Sequence, residues 1–427
     1  MVKLVLCCTL LISGTFVVGA SASARVPERA ALKVVRKQAD ALVARHRAMP
    51  QGGWAWRSAV QAPHFQTDRD VGAASIGEGL LAAYAVTGDR RYRRAAAAAG
   101  DFLLGVAEPA AGGLRWPDWA DPDGERSTTH FTSFDDGAAG ISDYLWHLHR
   151  VTHARRFRAG ALAGMRWLAA QADGASWRWT DDPSWRIAYH GLGMGQAGVV
   201  LAFDAFADRT GDRTFRALAR AGAAELRRLT ANGTRPLPVG SEDPSAEPGF
   251  LSGSAGAAYV FLDRYAHGRD PADLATARRL LAWVNAQPFG STGFELGAAG
   301  IAWVNLRAAR ATGDPSYRAA ARRAGAWLRQ VRRAPGTWVE WPGEESPVHR
   351  GLDSGSAGIG WVLEDLARAG LDPVANHRAA RSALRAAARH DGRPGGEPSW
   401  HWGSAGIAAF AAHLAGWSGR GPGGQRL

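Results

Sequence analysis

A five-residue motif, Gly-x-Ala-Gly-Ile in its most regular form, recurs seven times along this chain. Its copies begin at Gly72, Gly137, Gly195, Gly253, Gly297, Gly355 and Gly403, with starts 65, 58, 58, 44, 58 and 48 residues apart. A Thr-Gly-Asp sequence follows three of the copies at the same offset, beginning at Thr87, Thr210 and Thr312. Recurrence of a unit of this size is typical of a repeat architecture. The motif therefore restricts the chain to folds built from seven similar units.

Each unit predicts a helical hairpin followed by a loop. A helix rich in small residues begins at each motif, and after a tight turn an Arg/Ala-rich helix follows with apolar residues at helical spacing. The Arg/Ala helices are predicted at 27–48, 89–106, 154–172, 212–231, 270–286, 314–332 and 373–390. The chain opens on an outer-type helix and closes on an inner-type helix, so the last hairpin must pair across the termini. We predict an all-α fold, an α/α toroid (barrel) of seven helical hairpins with seven helices in each ring; an open superhelix would need polar capping repeats instead.

The first residues are typical of a secretory signal. Lys3 precedes an apolar stretch over 4–18, and small residues at 22–24 form a cleavage site. This stretch is too short and too early for a convincing membrane span. We therefore expect a signal peptide at 1–24, a single toroid domain at 25–418 and a Gly-rich flexible tail at 419–427. Both cysteines, Cys7 and Cys8, lie in the signal, so the mature chain is expected to hold no disulfide and no zinc–thiolate site.

The charge of the chain first suggests an anionic partner. The formal net charge is +12, and a basic chain can bind nucleic acid. However, the arginines are spread over the successive Arg/Ala helices, which is typical of a solvated outer face. We expect no nucleic-acid partner, no membrane contact after signal cleavage, a monomer, and a location outside the cell or at the cell wall.

The residue two places before each motif is polar in five of the seven repeats. These register residues are Asp70, Asp135, Gly193, Leu251, Glu295, Asp353 and His401. The five polar ones belong to repeats five, six, seven, one and two, which are contiguous around a closed ring. Asp136 and His190 are expected on the same rim. For any single acid, the alternative is that it only caps a helix.

The Gly motifs indicate how close the inner helices come. Gly, Ala and Ser permit close backbone approach where seven helices converge. The N-termini of these helices would then direct unpaired N–H groups towards the central opening. Anionic groups would be favoured at such an opening.

The loops that lead into the motifs are rich in tryptophan. Flat aromatic faces beside carboxylates resemble a saccharide site, where sugar rings stack on indoles and hydroxyls bond to acids. The candidates for substrate contact are Trp116, Trp179, Trp338, Trp341 and Trp402, together with Asp136 and His190. Packing in the core is the alternative for any one tryptophan.

The repeats, the Thr-Gly-Asp turns and the predicted double ring resemble the lanthionine synthetase C-like (LanC-like) family over about residues 30–416. This resemblance implies an α/α toroid. The zinc enzymes of that family carry Trp-Cys-Tyr-Gly and Cys-His-Gly where this chain has Phe294-Glu295-Leu296-Gly297 and Asp353-Ser354-Gly355. A His-Gly at the fourth repeat is Ser252-Gly253 here. The resemblance therefore implies that Glu295 and Asp353 lie at the position of the family's active site. It implies neither a bound zinc nor the cyclase reaction for this chain.

We expect a secreted carbohydrate-active enzyme, a hydrolase of glycosidic bonds that acts on a saccharide or another small polar substrate. Glu295 and Asp353 are the predicted acid/base pair, and Asp70, Asp135 and His401 are further catalytic candidates. No cofactor and no metal ligand are assigned. Three alternatives stay open: a metal-dependent hydrolase with a Glu/Asp/His site, a non-catalytic binding module for glycans or peptides, and, last, a lanthionine cyclase.

Overall fold

The computed structural model describes residues 29–58, 64–333, 336–340, 342–343, 348–389 and 396–417. The predicted signal peptide, the predicted tail and Trp341 lie outside these residues. Seven helices form an outer layer: α1 (Arg29–Arg45), α3 (Arg90–Val106), α5 (Arg155–Ala170), α7 (Arg213–Leu229), α9 (Pro271–Ala286), α11 (Pro315–Gln330) and α13 (Pro373–Ala388). Seven form an inner layer: α2 (Ala73–Thr87), α4 (Ala138–Thr152), α6 (Gln196–Thr210), α8 (Ser254–Gly268), α10 (Ala298–Thr312), α12 (Ser356–Arg368) and α14 (Ser404–Leu414).

The inner helices form a closed ring. Each packs against the next inner helix, from α2 through α4, α6, α8, α10 and α12 to α14, and α14 packs back against α2. The last hairpin pairs α14 with α1, across the two ends of the described chain. The predicted α/α toroid is confirmed, including its closure. The loops contain two short antiparallel hairpins. In the first, β1 (Arg47–Ala48) pairs with β2 (Trp54–Ala55), and in the second, β3 (Glu108–Ala110) pairs with β4 (Gly113–Arg115).

The two layers differ in how much of each helix they bury. In α10 every residue from 298 to 306 is buried, because this helix has neighbours on all sides. The outer helix α7 buries only one stripe at helical spacing, formed by Phe215, Ala219, Gly222, Ala223 and Leu226. A single apolar stripe is what a helix on the surface of a domain presents to its core. The remaining face of α7 carries its arginines, as expected for a solvated outer ring.

The Thr-Gly-Asp sequences join inner to outer helices. Gly88, Gly211 and Gly313 end α2, α6 and α10 with φ of 68°, 73° and 72°, a left-handed conformation that glycine adopts without a steric penalty. The Asp that follows caps the next helix; Asp212, for example, accepts N–H bonds from Thr214 and Phe215. The sequence thus encodes both ends of the turn.

Candidate active site

The loop before each inner helix folds back over the N-terminus of that helix. The first helical residue donates its backbone N–H to the carbonyl seven residues earlier in all seven repeats: Ala73 to Gln66, Ala138 to Phe131, Gln196 to Tyr189, Ser254 to Glu247, Ala298 to Ser291, Ser356 to His349 and Ser404 to Glu397. The expectation of open N–H groups at the mouth is therefore wrong, because loop carbonyls already accept from them. The mouth must attract its ligand through side chains.

The same loops explain the Gly motifs. A Cβ on Gly300 would lie 2.1 Å from the carbonyl oxygen of Phe294, in the loop of its own repeat, and 2.7 Å from Cβ of Phe250, in the neighbouring loop. Such distances are far below van der Waals contact, so only glycine fits. The close approach is thus between a helix and the loops above it, rather than between converging inner helices.

Backbone hydrogen bonds join the seven register residues into a ring around the mouth. The N–H groups of Arg69, Asp135, Gly193, Leu251 and Glu295 donate to the carbonyls of Asp135, Gly193, Leu251, Glu295 and Asp353, respectively. The N–H group of Leu352 donates to the carbonyl of Trp400. The N–H group of His401 closes the ring by donating to the carbonyl of Asp70. Equivalent positions in neighbouring loops are therefore held at one depth. This brings the five polar register residues side by side.

The register acids do not cap the inner helices. In all seven inner helices the N-cap residue is the first glycine of the motif, and the helix has no side-chain capping hydrogen bond. Asp68, two residues before the register position, is the acid that organises its loop, because its Oδ1 accepts N–H bonds from Asp70, Val71 and Gly72. The capping alternative is thus excluded for the five polar register residues.

His401 is at the centre of the cluster. Its Nδ1 donates to Oδ1 of Asp70 at 2.6 Å and lies 3.8 Å from Oδ2 of Asp353. Its Nε2 lies 3.7 Å from Oε2 of Glu295. Burial alone would lower the pKa of His401, but the carboxylates of Asp70, Asp353 and Glu295 outweigh it and raise that pKa to about 10. The imidazole is therefore a cation at neutral pH, with Glu295 on one side and Asp353 on the other.

The two predicted catalytic acids have strongly raised pKa values. Burial raises the pKa of Glu295 to about 7, although His401 opposes the rise. Burial also raises the pKa of Asp353 to about 7, again against His401 and with a contribution from the charge of Asp70. Carboxyl groups with a pKa near the working pH can both give and take a proton. This pair is thus suited to acid/base chemistry at neutral pH.

Asp135 and Asp136 extend the acidic surface. Burial and the neighbouring charge of Asp70 raise the pKa of Asp135 well above its usual range. A Cβ at position 193 would lie 2.1 Å from Oδ2 of Asp135, so Gly193 makes room for this carboxyl. Asp136 accepts from Trp179 Nε1 at 2.9 Å and from the hydroxyl of Ser133 at 3.1 Å, and burial raises its pKa to about 6.

Two of the predicted tryptophans, Trp116 and Trp338, form part of the core instead of the mouth. Trp116 and Trp338 are 3% and 1% exposed, and their indole N–H groups donate to the carbonyls of Leu103 and Leu328 in the outer helices. Trp56 and Trp177 make the equivalent bond to Leu42 and Leu168. This recurring anchor ties a loop to an outer helix and leaves no indole face for a sugar. The predicted substrate role is therefore withdrawn for Trp116 and Trp338.

Two predicted tryptophans do lie at the cluster. The ring of Trp402 is 4.3 Å from that of His401, and Trp179 bonds to Asp136. Beside Trp179 stands Trp185, which is 51% exposed and packs edge-on against it at 5.6 Å. The exposed indole of Trp185 therefore presents a flat apolar face beside Trp179. Trp341 is outside the described residues.

His190 faces away from the cluster. Its Nδ1 donates to the carbonyl of Pro238 at 3.0 Å, and burial lowers its pKa, with Glu225 and Arg228 of the outer helix α7 as its charged neighbours. The predicted contact of His190 with a substrate at the mouth is therefore not supported.

Sequence reasoning missed one cation of the site. Arg69 is 5% exposed, its guanidinium lies 4.8 Å from the centre of the Phe134 ring, and its charge opposes the rise of the Asp353 pKa. Its position beside Asp70 was the only available signal, and arginine is too common in this chain to single it out.

The cluster predicts how stability depends on pH. Raised pKa values mean that the folded state binds protons that the unfolded state releases. Stability should therefore fall as the pH rises from about 4 to 7, where Glu295 and Asp353 ionise in the folded state, and fall again towards pH 10, where His401 loses its proton. Thermal denaturation between pH 4 and 10 measures this. The Asp353→Asn variant should flatten the slope between pH 4 and 7; an unchanged slope would exclude Asp353 as its source.

Comparisons with known proteins support the fold alone. The sequence matches no family model and no curated protein. Among solved structures, a D-mannose isomerase is similar at TM-score 0.54 and 13% identity, over 84% of this chain and 98% of that one. A family 76 α-mannanase from Bacteroides thetaiotaomicron is similar at TM-score 0.51 and 11% identity, over 83% and 95%. These likenesses agree with the α/α toroid.

Nisin cyclase also matches, at TM-score 0.49 and 11% identity over 82% of this chain and 94% of that one. This likeness does not place the chain in the LanC-like family. None of the described helices combines the length and apolar composition that crossing a bilayer requires.

Proposed function

We propose that this chain is a carbohydrate-active enzyme that hydrolyses a glycosidic bond, with Glu295 and Asp353 as its acid/base pair. One observation carries the proposal. Two carboxyl groups with pKa values of about 7 flank the two nitrogens of the His401 imidazolium, which is 12% exposed. Near neutral pH one of the pair can hold a proton while the other is ionised, which is the state that glycoside hydrolysis needs.

The reaction would proceed by proton transfer at these two groups. The protonated carboxyl gives its proton to the glycosidic oxygen as the bond from that oxygen to the anomeric carbon breaks. The ionised carboxylate either removes a proton from the attacking water or attacks the anomeric carbon itself, and water then releases the sugar. The products are two sugars, one with a new reducing end, and both catalytic groups return to their starting protonation.

The neighbouring residues would hold this pair and the substrate. Asp70 orients the imidazolium of His401 through its 2.6 Å hydrogen bond, and the imidazolium favours the ionised form of whichever acid has lost its proton. Asp135 and Asp136 offer oxygens for sugar hydroxyls, and Trp179, Trp185 and Trp402 offer indole faces. The proposal includes a saccharide substrate and secretion, as the sequence predicts.

Incubation of the enzyme with a panel of plant, fungal and bacterial polysaccharides and oligosaccharides tests the proposal. We expect new reducing ends from at least one glycan, with products identified by chromatography. The D-mannose isomerase among similar toroids makes a second readout useful, so free sugars are incubated in D2O and examined by NMR. Interconversion of free sugars without new reducing ends would replace the proposal by isomerisation or epimerisation. Tight glycan binding without any product would favour a binding module.

A metal-dependent hydrolase is the second candidate, because one donor set in the site fits a divalent cation. Asp70, Asp353 and His401 each offer a ligand atom, and these three atoms lie within 4.8 Å of one another. The Glu295 of the Glu/Asp/His site expected from the sequence is not part of this set, and Asp70 takes its place. Asp353 is 5% exposed, and its Oδ1 has no hydrogen-bond partner among the described residues. Carboxylate and imidazole are sufficient to hold zinc, and a bound ion would supply a water of lowered pKa.

The metal content of the mature protein, purified without chelator or affinity metal, separates the two candidates. The carboxylate mechanism predicts a protein with far less than one metal ion per chain and full activity in EDTA. A content close to one zinc per chain, with activity lost in EDTA and restored by zinc, would instead assign Asp70, Asp353 and His401 as ligands. Neither outcome would favour a lanthionine cyclase, because Glu295 and Asp353 occupy the positions at which the zinc enzymes of the LanC-like family carry cysteines.

A further inference from the structure

A cavity opens at the end of the toroid opposite the carboxylate cluster. Its volume is about 550 Å³, within the range of sites that enclose small organic ligands. Many of its wall residues lie in the last turns of the inner helices α6, α8 and α10, whereas the cluster lies at the beginnings of the inner helices. The cavity therefore shares no residue with the site of the proposed function, and binding of a ligand in it does not depend on that function.

The cavity is apolar inside and charged towards its opening. Its apolar wall includes Phe134, Leu201, Tyr259 and Leu262, each less than 10% exposed. The charged part includes Asp143, Asp208, Asp263, Arg209, Arg307 and Arg310. A site with this polarity suits a ligand with an apolar body and one charged end.

Each acid of the wall already lies beside a basic side chain. Asp143 pairs with Arg209 at 2.8 Å, and Asp208 pairs with Arg216 of the outer layer at 2.9 Å. Asp263 lies 3.6 Å from the ring of His267. Asp143 and Asp208 are thus already paired with arginines other than Arg307 and Arg310.

Three further arginines line the cavity: Arg269, which lies over the ring of Tyr265 at 5.4 Å, and Arg307 and Arg310, which both belong to α10. Arg307 and Arg310 are considered together because they share one helix. Among the described residues, no hydrogen bond or ion pair is formed by the guanidinium of either one. Arg307 stacks on Trp303 at 4.4 Å and is half-buried. Burial and the charge of Arg310 lower its pKa, whereas Tyr259 and the carboxylate of Asp365 oppose that decrease. The negative end of the α10 dipole favours cations in its last turn, but among the described residues no carbonyl at that end accepts a hydrogen bond from Arg307. An anion between the two arginines would do so.

We propose that this cavity binds a small organic carboxylate with an apolar body. The carboxylate accepts hydrogen bonds from Arg307, with Arg310 close by, and the body packs against Phe134, Leu201 and Leu262. Guanidinium–carboxylate bonds are among the strongest hydrogen bonds in proteins, and the apolar wall adds the burial of the body. Phe134 forms part of this wall and also contacts Arg69, so it separates the two sites.

Isothermal titration calorimetry with 2-naphthoate as probe tests the proposal on the full chain. We expect saturable binding, and binding of the neutral 2-naphthamide at least about 10-fold weaker, because a hydrogen bond to a charged group contributes about 1.5–3 kcal/mol. Arg307→Gln should weaken naphthoate binding by about 10-fold or more for the same reason. Arg220→Gln, which removes an exposed arginine of the outer helix α7, should leave binding unchanged.

Three outcomes would overturn the proposal: no naphthoate binding at millimolar concentration, equal binding of acid and amide, or an unchanged affinity in Arg307→Gln that is folded by circular dichroism. The Glu295→Gln variant separates the two sites, since it should bind naphthoate like the unmodified chain. Loss of binding in that variant would place the probe at the carboxylate cluster and contradict the assignment.

Discussion

Replacement of Glu295 by Gln is expected to lower kcat/KM on the hydrolysed glycan by about 10²- to 10⁴-fold, the usual contribution of a general acid or base. Gln keeps the size of the side chain but can neither give nor accept the proton. The backbone carbonyl of Glu295 accepts N–H bonds from Phe250 and Leu251 in the ring around the mouth, and the substitution leaves these bonds in place. We therefore expect the variant to fold and bind glycan while losing turnover.

Two further variants show whether the loss is specific. Asp353→Asn should cause a loss of similar size, because the pair works as a unit. Asp101→Asn, in the outer helix α3, removes an exposed ion pair with Arg156; such pairs contribute little, so activity should be unchanged. Full activity of Glu295→Gln would remove Glu295 from the mechanism. A loss in Asp353→Asn alone would favour the metal-dependent candidate, in which Asp353 is a ligand and Glu295 is not.

The positions of the helices were predictable because local signals repeat seven times. The outer helix predicted at 89–106 is observed at Arg90–Val106, since a Gly that ends one helix and an Asp that caps the next are both visible in the letters. The register of the candidate site was predictable for the same reason. Each polar residue stands at a fixed distance from a motif, and neighbouring loops hydrogen-bond at that position.

Side-chain direction was not predictable from these signals. Trp116 and Trp402 both stand in loops that precede a motif, yet one anchors a loop to an outer helix and the other lies beside His401. His190 was placed on the rim by its proximity to the third motif, but its ring points towards α7. The prediction of unpaired N–H groups at the N-termini of the inner helices was wrong for a related reason. Local sequence does not reveal that a loop seven residues long returns to cap its own helix.

Gly300→Ala is expected to be the more damaging of two matched glycine substitutions for stability. The added Cβ would lie 2.1 Å from the carbonyl oxygen of Phe294 and 2.7 Å from Cβ of Phe250. The loops of two repeats would have to move, and overpacking of this kind costs about 1–3 kcal/mol or more. Urea denaturation should show a lower midpoint. Because Phe294 and Phe250 immediately precede the register residues Glu295 and Leu251, the same movement should disturb the catalytic cluster and lower activity in the folded fraction.

Gly268→Ala provides the control, because Gly268 also lies in an inner helix, at the end of α8, with nothing within 4 Å of the added Cβ. Alanine favours helix over glycine by up to about 1 kcal/mol, so this variant should be as stable as the unmodified chain or slightly more stable. If both variants behaved alike, helix propensity would explain the motif glycines, and the contact between helix and loop would not. A loss confined to Gly300→Ala would indicate that the glycine at this motif position, which is present in six of the seven copies, seats the loops that carry the site. The repeat in the sequence would then mark the location of the active site as well as the fold.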